Sequence, residues 1–495
     1  MALAVVAGLF LSSAMSADAL AQDGSDATAA LPGDDAQVEG AGLPKPLDAV
    51  NADRYRDIFR LQAEGEFRAA DRIIEELTDL SLLGPVLADR YLSATYISKP
   101  KELSDWLRRY GDTADAHAIY RLAVLKGASN PTEPTANVVH IGSPDESYDD
   151  RDAQWLAGLE AWRRGSFIKA AQAFAKDAED AENNRWDQSK SAFWAARAYL
   201  RAKQPDKVSA WLRKAAKDPL TFYGQLATRA LGIEPKIDWT TPKFSKAHGQ
   251  LLLKTRSGKR ALALIQVGQM GAAEKELLLL ETKAKGNVDE ALIALAQLGK
   301  MPTLALKMGA MQRLYGDAVI PAALFPVPRW EPQGGFTVDR ALIYAIMRQE
   351  SGFDAGAVSG DGALGLMQIM PDTGRKLGYT PAQLKDPQTS VAAGQRYLGK
   401  LLAHGLVDED IILMAVAYNA GPGNLQKWKK TRGEDPLLFV ETMPSKETRQ
   451  FVKRILAAYW IYQERLEQET PTLKALATGG WPRYEQQDGS ETASK

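Results

Sequence analysis

The residues of this chain that could do chemistry fall in four short clusters within residues 350–449. The first is Glu350-Ser351, at the foot of a segment with helical period. Val338, Leu342, Ile343, Ile346 and Met347 share one apolar stripe, and Glu350 falls on that stripe too. A carboxylate on a core-facing stripe needs a reason, because burying an unpaired charge is costly. Thr337 suits the helix start, Asp339 its first turn and Gly352 its stop. Glu350 then lies in the last turn, where the helix dipole opposes an anion by only about 0.3–1 kcal/mol. Desolvation can raise a carboxyl by several pKa units, so burial is the larger effect. Both favour an acid that stays protonated near neutral pH, as general-acid catalysis requires. A Glu reaching solvent from a frayed helix end has the same spacing.

The second cluster is Gly365-Leu366-Met367-Gln368-Ile369-Met370-Pro371, in which Gln368 is the lone polar side chain. Its amide suits a sugar hydroxyl or acetamido group, or the backbone of its own loop. The third, Ala417-Tyr418-Asn419-Ala420-Gly421, ends a segment whose Ile411 to Ala417 is apolar on nearly every face. Such a helix is buried all round, and it delivers Tyr418 and Asn419 to the interior or merely satisfies local groups. The fourth runs from Glu441-Thr442-Met443-Pro444 to Glu447-Thr448-Arg449. Glu447 suits the first turn of a last helix carrying Phe451, Val452, Ile455, Leu456 and Tyr459 on one side.

The elements that must position these clusters are helices. Pro371 opens a short one, Asp386-Pro387 another through Leu401, and Asp408 caps the apolar third. Upstream, residues 48–321 read as helix after helix. Tyr55, Gly65, Phe67 and Ala70 recur as Trp155, Gly165, Phe167 and Ala170, with looser echoes at Leu264, Val267, Gly271, Ala273 and at Leu295, Leu298, Gly299, Ala305. Stacked helical hairpins of this kind form a solenoid. Residues 126–152 interrupt it as a long loop, and Phe325-Pro326-Val327-Pro328 marks an extended crossing into the next region. After Glu469 the periodicity fades into a loose tail.

At 495 residues, one core does not suffice. A net charge of −1 argues against nucleic acid, and the absence of cysteine removes disulfides and thiolate chemistry. Four scattered histidines offer no metal-ligand spacing. Met1 to Ala21 reads as a secretory signal, although no Lys or Arg precedes its apolar run. That run is shorter than the roughly 20 residues of a membrane span, so no stable anchor is expected. Residues 22–47, rich in Asp, Gly, Ala and Pro, read as a disordered linker.

In this order the four clusters resemble the catalytic domain of the soluble lytic murein transglycosylases, a lysozyme-like fold. The resemblance reaches upstream, notably to Phe222-Tyr223-Gly224-Gln225-Leu226-Ala227. It implies a mainly α protein. An N-terminal α-superhelix of helical hairpins, ring-like in that family, occupies 48–321, the lysozyme-like catalytic domain 322–466 and a tail 467–495. It also implies Glu350 as catalytic acid/base, with Ser351, Ser359, Gln368, Met370, Tyr418, Asn419 and Glu447 binding glycan. Leu364 departs from the family, where some relatives carry a small polar residue. The implied reaction breaks the MurNAc–GlcNAc bond of peptidoglycan glycan strands to give 1,6-anhydroMurNAc ends, with exo action and no metal or cofactor. The expected setting is the periplasm of a Gram-negative bacterium, as a monomer, with cell-wall synthesis or remodelling proteins as further partners. Three rivals remain: a hydrolytic muramidase like the goose-type lysozymes, with Asp354 or Asp361 holding a water; a non-catalytic glycan-binding scaffold; and repeats that dock a partner.

Overall fold

Helix follows helix through the computed structural model, which describes residues 42–136, 153–180, 183–234, 236–280, 288–315 and 319–488. The signal at 1–21, residues 22–41 of the linker and most of the 126–152 loop lie outside the described residues. Two compact units emerge. The first, Asp53–Ala136, holds most of α1 (Ala49–Ala63), then α2 (Phe67–Glu75), α3 (Leu83–Leu92), α4 (Pro100–Tyr110) and α5 (Ala116–Leu125).

The second unit carries the remaining helices. Its array comprises α6 (Ala153–Arg163), α7 (Phe167–Glu179), α8 (Arg185–Arg201), α9 (Pro205–Ala215), α10 (Phe222–Ala230), α11 (Lys246–Leu252), α12 (Arg256–Gln266), α13 (Met270–Leu277), α14 (Val288–Leu298), α15 (Pro302–Tyr315) and α16 (Pro321–Leu324). Then come α17 (Arg340–Glu350), α18 (Pro371–Leu377), α19 (Pro387–Leu402), α20 (Ile411–Ala420), α21 (Pro422–Trp428), α22 (Pro436–Thr442), α23 (Lys446–Arg465) and α24 (Pro471–Ala477). Among the described residues β-pairing is limited to isolated bridges.

Five hairpin turns, one in the first unit and four in the array, use a left-handed residue: Gly65, Gly165, Lys203, Gly268 and Lys300, with φ between 48° and 78°, or 81° at Gly268. At each turn the next residue's N–H bonds back across the helix end. Glu66 donates to Leu61, Ser166 to Ala161, Gln204 to Tyr199, Gln269 to Leu264 and Met301 to Ala296, at 2.8–3.0 Å. This six-to-one bond closes the orphan carbonyls of a helix C-terminus. The two strong repeats hold, with Tyr55, Ala70, Trp155 and Ala170 all fully buried. The looser echoes differ: their turns fall at Gly268 and Lys300, and the expected Gly271 lies inside α13. Lysine stands at a left-handed position in two turns, so glycine spacing alone undercounts them.

Two segments expected to be loose are tied down. Leu47, at the end of the presumed linker, is buried and exchanges backbone bonds with the Gln266 amide (3.0 and 2.8 Å). Residues 479–488 return to the start of α17. Asp339, fully buried, accepts from the Gln487 and Asp488 backbone N–H groups (2.7 and 2.9 Å) and from the Tyr459 hydroxyl (3.2 Å). Arg340 pairs with Asp488 at 3.1 Å, and Ile411 N–H donates to Pro482. The fold that carries α17 therefore continues past residue 466 to Asp488. Asp339, not Thr337, is the N-cap of α17, but its carboxylate serves the tail rather than the helix. We expect Asp339→Ala to cost about 3 kcal/mol and to expose the tail, read as a lower urea midpoint with new proteolysis near residue 480. Unchanged protection would contradict this.

The array and the later helices of the second unit share a core. Phe222 stacks on Trp460 (5.3 Å), and the Gln225 amide donates to Ala457 O (3.0 Å). The Phe222–Ala227 motif thus seats α10 on α23. Helix α17 is buried from Ala341 through Arg348, more than the single stripe expected. Arg348 donates Nε to Leu324 O (2.9 Å) and lies over Phe325 (4.5 Å), holding the crossing segment to its back. Helix α20 is buried all round from Ile411 to Ala417, as its composition requires. Its cap is Asp410 rather than Asp408, accepting from the Ile412 and Leu413 N–H groups at 3.0 and 3.1 Å.

Candidate active site

Helix α17 stops because Gly352 (φ 58°) and Phe353 (φ 69°) both turn left-handed. Phenylalanine resists that conformation, and it is held by full burial and by Thr303 Oγ1 donating to its carbonyl (3.1 Å). Ser351 Oγ, which accepts from Phe353 N (3.1 Å), reaches Leu366 O at 2.9 Å and Met347 O at 3.1 Å. Ser351 is accordingly a clamp between the helix end carrying Glu350 and the loop of the second cluster.

That loop folds on itself. Leu364 is bridged to both Val358 and Ile369, and its side chain is buried, which accounts for an apolar residue there. Gly365 has φ 73°, and a Cβ on it would sit 1.9 Å from Leu384 O and 2.7 Å from Ser390 Oγ. No side chain fits. Gly365→Ala is expected to cost at least about 2 kcal/mol by displacing the loop, measured by thermal melts. Gln368 is itself left-handed (φ 45°). Its amide nitrogen donates to Ala357 O (3.1 Å) and Gly365 O (2.8 Å), so the loop claims it and leaves the amide oxygen for a ligand. Ser359 Oγ accepts from Ala363 N (2.9 Å), leaving its hydroxyl proton to donate. Met370, 44% exposed, presents an apolar surface at the mouth of α18.

The third and fourth clusters meet at the same place. Tyr418 Oη donates to Met367 O (2.5 Å), and its ring stacks on Phe451 (6.3 Å). Thr448 Oγ1 donates to Asn419 Oδ1 (2.7 Å), and Asn419 Nδ2 donates to Glu447 Oε1 (3.1 Å). Asn419 is thereby fixed between α20 and the first turn of α23. Electrostatics join these residues to Glu350. Burial, with the Glu447 charge second, pushes the Glu350 carboxyl up from 4.5 to about 8. The same burial, with Glu350 and Tyr397 nearby, drives the Tyr418 phenol well above its ordinary range. Glu350 is thus an acid protonated at neutral pH.

The nearby aspartates are otherwise occupied or turned outward. Asp354 Oδ1 accepts from Gly356 N (2.9 Å) in a turn, Asp372 pairs with Arg375, and Asp361 is exposed. Sequence reasoning missed that Glu447, half a domain away in the chain, is the carboxylate that Glu350 feels. It also left Glu441 without a role. Glu441 is buried under α10, accepting from Tyr223 Oη (2.6 Å) and Lys453 Nζ (3.0 and 3.2 Å). It pins α22 and α23 to the array, which sets where Glu447 stands.

Residues 331–436 match the family model described as the Transglycosylase SLT domain. Over 156 residues the chain is 36% identical to the soluble lytic murein transglycosylase of Escherichia coli K12, covering 30% of this chain and 24% of that protein. It is 34% identical over 113 residues to the membrane-bound lytic murein transglycosylase D of the same strain, covering 22% of this chain and 25% of that protein. The chain thus spans about a quarter of the length of these curated relatives. Among solved structures, the 70 kDa soluble lytic transglycosylase of Escherichia coli aligns with a TM-score of 0.54 at 20% identity, over 90% of this chain and 76% of that one. An inactive mutant of the lytic transglycosylase Slt from Pseudomonas aeruginosa aligns at 0.53 and 23% identity, over 86% and 68%. These likenesses show the fold, that of the soluble lytic transglycosylases.

Proposed function

We propose that this chain is a peptidoglycan lytic transglycosylase, cleaving the MurNAc–GlcNAc β-1,4 bond without consuming water. The observation that carries the reading is the Glu350 carboxyl, pushed up to about 8 by burial at the end of α17. It starts protonated and donates its proton to the glycosidic oxygen as the C1–O bond breaks. The MurNAc acetamido group supports the cationic C1. Ionised Glu350 then takes the proton of the C6 hydroxyl as that oxygen attacks C1, closing the 1,6-anhydro ring and restoring the acid. One carboxyl acts twice. Ser359, the Gln368 oxygen, Met370, Tyr418, Asn419 and Glu447 form the glycan groove in this proposal. Ser351 is a positioning residue, since its hydroxyl is engaged between helix and loop.

A hydrolytic course has one observation behind it, the Glu447 charge felt by Glu350. Paired carboxylates are the usual hydrolytic equipment, and Glu447 suits the second role better than Asp354 or Asp361. Mass spectrometry of digested sacculi separates the two. Ends lighter by one water support the transglycosylase, whereas reducing, hydrated ends throughout would overturn it. We further propose export to the periplasm, exo action on glycan strands and a monomeric state. Export is supported by the apolar run near the start of the sequence and the small residues Ala19-Leu20-Ala21 that follow it.

A further inference from the structure

A cavity lined by none of the residues around Glu350 lies in the helical array. It is formed where the start of α8 and the end of α9 meet the 236–238 and 319–321 segments, and it encloses about 480 Å³. Five cationic side chains line it: Arg185, Lys214, Lys217, Lys236 and Arg313. Only Asp218 and Asp238 oppose them, in a chain whose net charge is −1. The lining is therefore a local concentration of positive charge.

Internal pairing does not neutralise it. Asp218 is bonded by Arg313 Nη2 (2.8 Å). Arg313 is only 5% exposed, and among the described residues its buried Nε has no acceptor. A buried donor without an acceptor is costly, and an anion beside the guanidinium offsets that cost. Lys214 reaches Glu179 (3.2 Å) in a solvent-exposed pair of little worth. Lys214 and Lys217 near the end of α9 complement its dipole, but that explanation does not extend to the others. Arg185 is the first residue of α8, where a cation opposes the dipole, and Lys236 and Arg313 come from other segments. Leu220, Ile237 and Val319 add apolar walls.

We propose that this cavity binds a small ligand carrying two or more anionic groups, carboxylate or phosphate. Its volume exceeds that of a single phosphate and admits a short acidic peptide or a phosphorylated small molecule. Calorimetric titration of the full chain at low salt, with triglutamate and with pyrophosphate as probes, tests it without needing turnover and so independently of the proposed reaction. Binding by at least one probe is expected, weakened about tenfold or more by Lys217→Gln/Lys236→Gln and similarly by high salt. Tighter triglutamate binding assigns a carboxylate source, and tighter pyrophosphate binding a phosphate source. Both lysines are exposed, so the variant is expected to fold, checked by circular dichroism. No binding of either probe, or equal affinity for the folded variant, overturns the proposal.

Discussion

Glu350→Gln is expected to lower murein cleavage by about 10²–10⁴-fold, the usual worth of a positioned general acid, while making the protein more stable at neutral and alkaline pH. The sign follows from the raised pKa. In the unfolded chain the carboxyl loses its proton near 4.5, and in the folded protein near 8. Between those values the folded state holds more protons, so wild-type stability falls as pH rises through the window and levels off above it. Glutamine does not ionise and carries no such penalty. The stability gap should open from pH 5 upward, reach roughly 3 kcal/mol at pH 7 and flatten only above about pH 8. Urea midpoints at several pH values measure it, and a gap constant with pH would refute the buried-acid assignment. Activity should fall on the alkaline side as Glu350 ionises, near pH 8. Because the Glu447 charge raises Glu350, Glu447→Gln should move that limb to lower pH. A purely structural role for Glu447 would not.

Lys453→Met should destabilise the protein by about 3–5 kcal/mol, the cost of leaving one member of a buried pair uncompensated. Glu441 and Lys453 are both almost wholly buried, and the Tyr223 hydroxyl also donates to the carboxylate oxygen Oε1. Burial and the adjacent Glu441 push the Tyr223 phenol well above its ordinary range, so it stays a donor and cannot neutralise the carboxylate. The double variant Glu441→Leu/Lys453→Met removes both charges and should recover much of the loss, since well-packed apolar pairs often replace buried ion pairs at little cost. Denaturant melts of the single and double variants form the cycle. If the double variant is the less stable by the sum of both singles, the two charges are not coupled and the pinning of α22 and α23 to α10 lies elsewhere.

Much of this protein was legible along the chain because its signals are short-range. The apolar run Ile411 to Ala417 dictated a buried helix, and the recurrence of Tyr55, Gly65 and Ala70 at Trp155, Gly165 and Ala170 dictated paired helices. Glu350 stood out because a carboxyl on an apolar stripe is anomalous within three turns of helix. The turn residues Lys203 and Lys300 were illegible, because a left-handed lysine is held by the helices it joins and not by its type. The tail past Glu469 looked loose, since its anchor, Asp339, lies about 150 residues earlier in the chain.

The sequence by itself pointed to Glu350 as the candidate acid and to the clusters that accompany it. Tertiary structure alone decided what each side chain is free to do. Ser351 and the Gln368 nitrogen are consumed by backbone carbonyls, and Glu441 by Tyr223 and Lys453. Glu447 becomes the charge beside Glu350. Helical period and turn chemistry act over a few residues and can be read from neighbours in sequence. Desolvation and Coulomb interaction depend on distance in space, and only the folded chain sets the distance between α17 and α23.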